Sequence, residues 1–495
     1  MFIKDLVFIL PEIFLIYSLI LFLMFGLFGT RLYTSGFQTL KISVLLARLN
    51  VLPIVLSILL LVNYNFNSLD YLNLLNYQLF VSDFYISVKI LLLLIFLLVN
   101  IFFVEYYKYE LSSFFEYLVL LTLAVVSMLF IISSSSLMVV YICIEIQSLI
   151  FYILATGKPF SNFSTEAGLK YFVLGAFASG LLMFGFSLLY GFTGIVNFDD
   201  FTLFSSDFES PGVLLAILFI IAGLFFKIGC APFHMWLPDV YEGVPTIITA
   251  VFSVLPKMPV LVLIAKLFFN VFFFYKDFWF GIFLVCSFLS LVFGSLGALS
   301  QLKFKRLLAY SAITHVGYLV LTLSVATFDS FYALLLYLLV YFVVTLNIFG
   351  ILLNVRKFSN GEKMKTLVNF ISLVRSNFLL ALSMALSFFS LAGIPPLSGF
   401  FAKFFLFLSV VKADLYFVVF IAFLFSLVSA VYYVRFIKIM FFDSGFEYKW
   451  SLFKPLTKVQ SYVIYFTCML NLIFCVYPKP FVLFAYYSSL NFYLV

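Results

Sequence analysis

Histidine is nearly missing from this sequence. His234 and His315 are the only two in 495 residues, which argues against a bis-histidine haem and against a His-rich metal site. Cysteine is scarce too. The five stand at 143, 230, 286, 468 and 475, none in a C-x-x-C pair and all inside apolar runs. That scatter speaks against a disulfide framework and an iron–sulfur site, so no redox cofactor is expected in this chain. Charge is the largest deficit. Charged residues make up 10% of the chain and hydrophobic ones 65%, whereas an ordinary soluble domain carries about 25% charge. Such a chain has too little polar surface to stay in solution, so it belongs in a membrane. The net charge of +7 then reports topology and not nucleic-acid binding, because the positive residues lie in loops between apolar runs.

A cleavable leader is also absent from the pattern. Met-Phe-Ile-Lys-Asp leads directly into an apolar run from Leu6 to Phe28, too long for a signal-peptide core and without a small-residue cleavage site. No Arg- and Ser-rich transit segment precedes it. This suits a protein made in a bacterium or inside an organelle. The 72 Phe and 31 Tyr suggest AT-rich coding and lean towards a mitochondrial inner membrane, with a bacterial plasma membrane as the alternative.

What is present is a succession of about fourteen apolar runs, from 6–28 to 459–476, each close to the ~20 residues that cross a bilayer. In lipid every such run must be helical, so the expected class is an all-α membrane protein. A short apolar tail, Phe481 to Val495, follows. Loop charge tests the count. Loops after odd-numbered runs carry Arg31 and Lys41; Lys108; Lys158; Lys303, Lys305 and Arg306; Arg356, Lys357, Lys363 and Lys365; and Lys449, Lys454 and Lys458. Loops after even-numbered runs tend to be acidic or neutral; they include Asp70, Asp83, Ser133–Ser136, Asp199, Asp200, Asp207 and Glu209. The positive-inside rule puts the odd loops in the cytoplasm or matrix.

Two runs are interrupted. The run 213–236 contains Gly229-Cys-Ala-Pro232, and 377–411 contains Gly393-Ile-Pro395-Pro396. Proline in a helix removes a backbone bond and kinks or breaks it. Paired interruptions in two halves point to inverted repeats with broken helices around a midplane site; the other reading is two unrelated kinks. The expected organisation is N-terminal helices over 1–116, a first repeat over 117–269, a second over 278–440, and a C-terminal helix and tail over 441–495.

Charge at mid-bilayer costs about 2.5–3.5 kcal/mol, so residues that bear it are functional candidates. Glu145, Lys227, Lys257 and Lys403 stand near the centres of their runs. A lysine withdrawn from water gives up its proton readily, and a nearby carboxylate restores its hold. Glu145 beside Lys227 would make a tunable pair, the chemistry a proton relay needs. Fixed ion pairs between helices are the competing reading, though lysine, with a flexible stem and costly desolvation, is poorly suited to that. His234 is either a relay between Lys227 and Lys257 or a hydrogen-bonded structural residue, and the same two readings apply to His315. Glu166 and Lys170, spaced i, i+4, are an interfacial pair or an accessory; Lys305 is a further accessory. Asp239 and Glu242 are expected to fix a loop.

These residues sit in recognisable stretches. They include Phe-Lys227-Ile-Gly-Cys-Ala-Pro-Phe-His234-Met-Trp-Leu-Pro-Asp239-Val-Tyr-Glu242-Gly-Val-Pro-Thr and Ser-Thr-Glu166-Ala-Gly-Leu-Lys170-Tyr-Phe. Two more are Lys305-Arg306-Leu-Leu-Ala-Tyr-Ser-Ala-Ile-Thr-His315 and Ser-Leu-Ala-Gly393-Ile-Pro-Pro-Leu-Ser-Gly-Phe-Phe-Ala-Lys403. Together they resemble NADH dehydrogenase (ubiquinone) subunit 2, an antiporter-like membrane subunit of respiratory complex I. The resemblance is strongest from about 140 to 405, and the segment 64–85 aligns with nothing. It implies a fourteen-helix fold with two inverted five-helix repeats. It implies that Glu145 sets the charge on Lys227, that Lys257 passes protons along the axis and that Lys403 gates the far exit. It also implies partners: the other membrane-arm subunits, including the other antiporter-like ones, and membrane lipid. NADH, FMN, iron–sulfur clusters and ubiquinone would belong to the parent complex. Two other classes compete. A cation/proton antiporter subunit of the same ancestry would share the lysines, and the Val-Tyr-Glu242-Gly stretch argues against it. A purely structural membrane subunit would not need mid-span lysines.

Overall fold

Lipid offers the backbone no hydrogen-bond partner, so each apolar run closes its own bonds as a helix. The computed structural model describes residues 2–32, 36–64, 72–110, 115–158, 161–205, 210–356, 364–371, 373–443, 453 and 456–493. Asp70, Asp207, Glu209, Lys357, Lys363, Lys449 and Lys454 lie outside the described residues, as do the side chains of Arg31, Lys41 and Lys108. Among the described residues, thirteen helices are long and apolar enough to cross a bilayer, from Leu10–Gly29 to Lys458–Val476. The expected run 377–411 supplies the fourteenth span as two half-helices, Phe378–Ala392 and Ser398–Val411. The tail forms a further helix, Lys479–Tyr493. The expected sixth run, 169–193, begins earlier, because the helix Asn162–Thr193 extends through the polar turn that carries Glu166.

The two interruptions close in the same way. Helix Pro211–Ile228 ends at Gly229, which takes a left-handed φ of 75°. The Gly229 N–H donates to Phe226 O at 3.1 Å and the Cys230 N–H to Phe225 O at 3.0 Å. Helix Phe378–Ala392 ends at Gly393, φ 85°, with Gly393 N–H donating to Ser390 O at 3.0 Å and Ile394 N–H to Phe389 O at 3.1 Å. This is a Schellman closure, and its left-handed position favours glycine, which has no Cβ to clash. In each case a proline follows three residues after the glycine, behind a cis peptide bond: Ala231–Pro232 and Pro395–Pro396. The expected run 213–236 is therefore a helix to Ile228, a break, and a short helix Trp236–Gly243.

The chain divides into two units. The first comprises Met1–Leu224, Leu255–Lys276 and Asn491–Val495; the second comprises Phe225–Val254 and Asp277–Leu490. In the first, the segment that aligned with nothing carries an antiparallel hairpin, Leu72–Leu74 with Leu79–Val81, a small sheet the all-helical expectation did not include. The hairpin and the loops after the fourth and sixth spans are stitched together. Ser135 N–H donates to Gln78 O (3.0 Å), Phe198 N–H to Ser135 O (2.9 Å) and Leu137 N–H to Val196 O (3.1 Å). The even-numbered loops of this unit thus share one side. The Ser133–Ser136 run is fully buried there, not a solvated loop.

In the second unit the odd-numbered loops meet. Lys303 pairs with Glu242, and Arg306 reaches Asp239 at 3.4 Å and Glu242 at 3.5 Å. Phe304 N–H donates to Lys365 O at 3.0 Å, and Arg435 to Leu299 O at 2.9 Å. Asp239 and Glu242 do fix a loop. Lys412, a cation in an even loop, pairs with Asp329 at 2.6 Å. Helices in lipid associate through close packing of small residues. At Gly294 a Cβ would lie 2.7 Å from Thr314 N and 3.0 Å from Tyr310 O, so helices Phe273–Leu299 and Phe304–Val325 approach almost backbone to backbone.

Candidate functional site

The candidate residues lie on the most enclosed helices. Every residue of the hydropathy window in Thr246–Val271 is buried, as are 94% in Phe304–Val325. Lys257, on the first of these, is 3% exposed. Pro256 and Pro259 flank it, and the helix is interrupted just before it, between Val254 and Lys257. In the same unit, Glu145 lies half-buried on Leu137–Ala155. Its Oε2 accepts from Ser148 Oγ at 3.4 Å, whereas its buried Oε1 accepts nothing among the described residues. A buried carboxylate oxygen without a donor is costly, so this atom is open to a further hydrogen bond. Glu166 and Lys170 form an i, i+4 pair at 2.8 Å, 62% and 45% exposed, on the outside of their unit.

The second unit holds the rest. Lys227 is in the last turn of Pro211–Ile228, the helix end whose dipole favours a cation. His234 follows the break, 4% exposed, with its ring stacked on Phe293 at 5.4 Å. The backbone of Pro232, in the break itself, is a hydrogen-bond partner of the ring. Lys305 Nζ donates to Val244 O at 2.5 Å, at the odd-loop end and apart from the buried groups.

Lys403 and His315 are brought together. Lys403, 6% exposed, lies on Ser398–Val411 and turns back to the preceding half-helix. Its Nζ donates to the Ala392 carbonyl at 2.8 Å and stands 5.5 Å from the centre of the Tyr318 ring. The stem packs on Gly393, where any Cβ would meet Lys403 Cδ at 2.9 Å. The break thus supplies both the carbonyl that holds the ammonium and the space for its stem. A cavity with about 10 Å³ of room, enough for one water, is lined by Lys403, Ser390, His315, Tyr337 and Tyr341, among others. His315 Nδ1 lies 2.6 Å from Tyr337 Oη and its Nε2 3.1 Å from Tyr433 Oη. A neutral imidazole donates from one nitrogen and accepts at the other, and a tyrosine hydroxyl does both. The row Tyr337–His315–Tyr433 can therefore hand a proton through by exchanging tautomers.

Several buried groups escaped the sequence reading. Glu12 and Lys89, 1% and 5% exposed, form an ion pair at 2.6 Å across 77 residues of chain. Both stand inside apolar runs, but nothing local says they meet. Lys266 is 7% exposed; it sits near the end of its run, where a lysine ordinarily reaches the interface. Tyr337 and Tyr433 are two among 31 tyrosines.

Known proteins agree with this architecture. Residues 134–429 match the family described as NADH:quinone oxidoreductase/Mrp antiporter, TM. The chain is 39% identical to NADH-ubiquinone oxidoreductase chain 2 of Marchantia polymorpha over 99% of both sequences. It is 38% identical to NADH-quinone oxidoreductase subunit N of Parvibaculum lavamentivorans, over 74% of this chain and 76% of that one. Among solved structures, a chain of respiratory complex I from Thermus thermophilus with bound aureothin superposes with TM-score 0.76 at 26% identity. That match covers 95% of this chain and 98% of the other. A chain of the Mrp complex from Dietzia sp. DQ12-45-1b shares the fold, with TM-score 0.80 at 18% identity over 99% and 98%. The chain belongs to the NADH:quinone oxidoreductase/Mrp antiporter family and, within it, to the group formed by NADH-ubiquinone oxidoreductase chain 2 and NADH-quinone oxidoreductase subunit N.

Proposed function

We propose that this chain is a proton-translocating membrane subunit of an NADH:ubiquinone oxidoreductase, respiratory complex I, and that it has no redox centre of its own. The observation that carries the reading is the arrangement at the second break. A buried lysine is held by a helix-end carbonyl, beside a water-sized cavity that opens on a tyrosine–histidine–tyrosine row. Such a site can take up a proton, hold it and release it; a static ion pair needs neither the cavity nor the row. In this reading Glu145 sets the charge on Lys227, Lys257 passes protons along the axis, and Lys403 gates the exit. His234 relays between lysines. Glu166, Lys170 and Lys305 stay outside the route. The repeats are 117–269 and 278–440, supported by the identical closure of their two broken helices.

The partners are the other membrane-arm subunits, including the antiporter-like ones, with lipid around them, in the mitochondrial inner membrane. NADH, FMN, iron–sulfur clusters and ubiquinone are bound by the parent complex. Native purification from the source membrane tests this. The chain should co-migrate with a large assembly that reduces ubiquinone with NADH and is sensitive to rotenone or piericidin. In liposomes, Lys227→Met in that assembly should lower the protons moved per NADH. If the chain instead runs apart from this activity and exchanges cations for protons, the antiporter reading replaces this one.

A further inference from the structure

Lys266 has no part in the route above, yet its surroundings reproduce those of Lys403. It lies on Lys257–Lys266, in a helix with no exposed residue from Thr246 to Phe269. Its Nζ donates to Ser134 O at 2.5 Å. Ser134 caps the C-terminal end of Glu116–Ser133, as Ala392 ends Phe378–Ala392 beneath Lys403. The ammonium lies 4.6 Å from the centre of the Tyr85 ring and 5.5 Å from those of Phe80 and Phe198. These rings attract a cation through their faces. Each unit therefore holds a buried lysine bonded to a helix-end carbonyl and covered by an aromatic ring.

Two further observations separate Lys266 from a plain cap. The five residues after it, Leu267–Val271, form a π-turn, a wide turn found often at functional sites and seldom elsewhere. The Phe198 ring over the ammonium also belongs to the residue next to Asp199 in the chain. Asp199 is exposed in the acidic segment after the sixth span, where Asn73 Nδ2 donates to it at 3.4 Å. Lys89 is one helical turn beyond Tyr85 on Asp83–Glu110 and is bonded to Glu12. Lys266 thus stands between the enclosed helix that carries Lys257 and the acidic surface that carries Asp199.

We propose that Lys266 is a further proton-carrying residue of this chain, through which a proton passes between the interior at Lys257 and the acidic loop surface at Asp199. The inference rests on the proton-translocation reading above. Lys257 and Lys266 are nine residues apart, ~13 Å along the axis and on opposite faces of an ideal helix. Transfer between them therefore runs through water. At Lys266 an Nζ–H bond breaks and the proton leaves on a water towards Asp199. The electron pair stays on nitrogen, and a proton arriving from the Lys257 side restores the ammonium.

The test uses the complete complex in liposomes, with NADH oxidation and proton uptake measured together. Lys266→Arg keeps the charge and the donor but cannot release a proton. It should assemble normally and lower coupled turnover by ~10-fold or more. Lys266→His, whose imidazole still carries a proton, should retain turnover with the pH optimum moved lower. Normal coupled turnover in the arginine variant, or an unmoved optimum in the histidine variant, makes Lys266 a static cap and overturns the inference. Lys227→Met is measured in parallel. If its proton-to-NADH ratio is unchanged, the translocation reading itself fails; if it falls while Lys266→Arg stays normal, this inference alone fails.

Discussion

Tyr337→Phe is the sharpest probe of the row at the second break. The change deletes one oxygen, 2.6 Å from His315 Nδ1, and leaves the ring in place. Losing a partner at a buried polar group costs about 1–3 kcal/mol. If that cost falls on the state in which the proton sits on or beside His315, each 1.4 kcal/mol slows transfer about tenfold. Coupled turnover should then fall between ~5-fold and ~150-fold with assembly intact. Tyr433→Phe removes the longer contact, 3.1 Å from Nε2, so its effect should be smaller. The double variant should cost less than the sum, because a row cut once no longer conducts. The assay is NADH-driven proton uptake in liposomes, normalised to the assembled complex on a native gel. Turnover of Tyr337→Phe within twofold of the parent in a fully assembled complex would refute the row as a proton path.

Three other outcomes follow from the packing. Lys89→Met should destabilise the assembled complex by about 3–5 kcal/mol, since it strands the buried Glu12 carboxylate. Glu12→Gln together with Lys89→Met should recover much of this, read as the melting temperature of the purified complex. Gly294→Val should abolish assembly on native gels, because its Cβ would meet backbone atoms at 2.7 and 3.0 Å, and backbone cannot give way as a side-chain tip can. Glu166→Gln with Lys170→Met should leave turnover and assembly within twofold of the parent, because exposed pairs of this kind contribute about 0–1 kcal/mol.

How much was legible beforehand depends on range along the chain. The apolar runs, their alternating loop charge and the two breaks could be read directly, because a bilayer demands long apolar helices and because glycine and proline act locally. Glu145, Lys227, Lys257 and Lys403 stood out for the same reason: a charge in the middle of an apolar run is conspicuous. Lys266 did not, because near the end of a run a lysine ordinarily snorkels, and it is the hairpin and the serine turn closing over it that bury it.

The sequence alone determined the class, the span count, the break positions and the family, since each depends on residue type over one helix length or on an uninterrupted motif. The tertiary structure decided which groups touch. Glu12 meets Lys89 across 77 residues, His315 meets Tyr433 across 118, and Lys266 meets Ser134 across 132. Only the Lys403–Ala392 contact, 11 residues apart across the break, lies near enough to have been inferred. The physical reason is that helices in lipid share no hydrophobic drive to associate. Their partners are chosen by close fits such as that at Gly294, which a one-dimensional pattern of apolar residues does not encode.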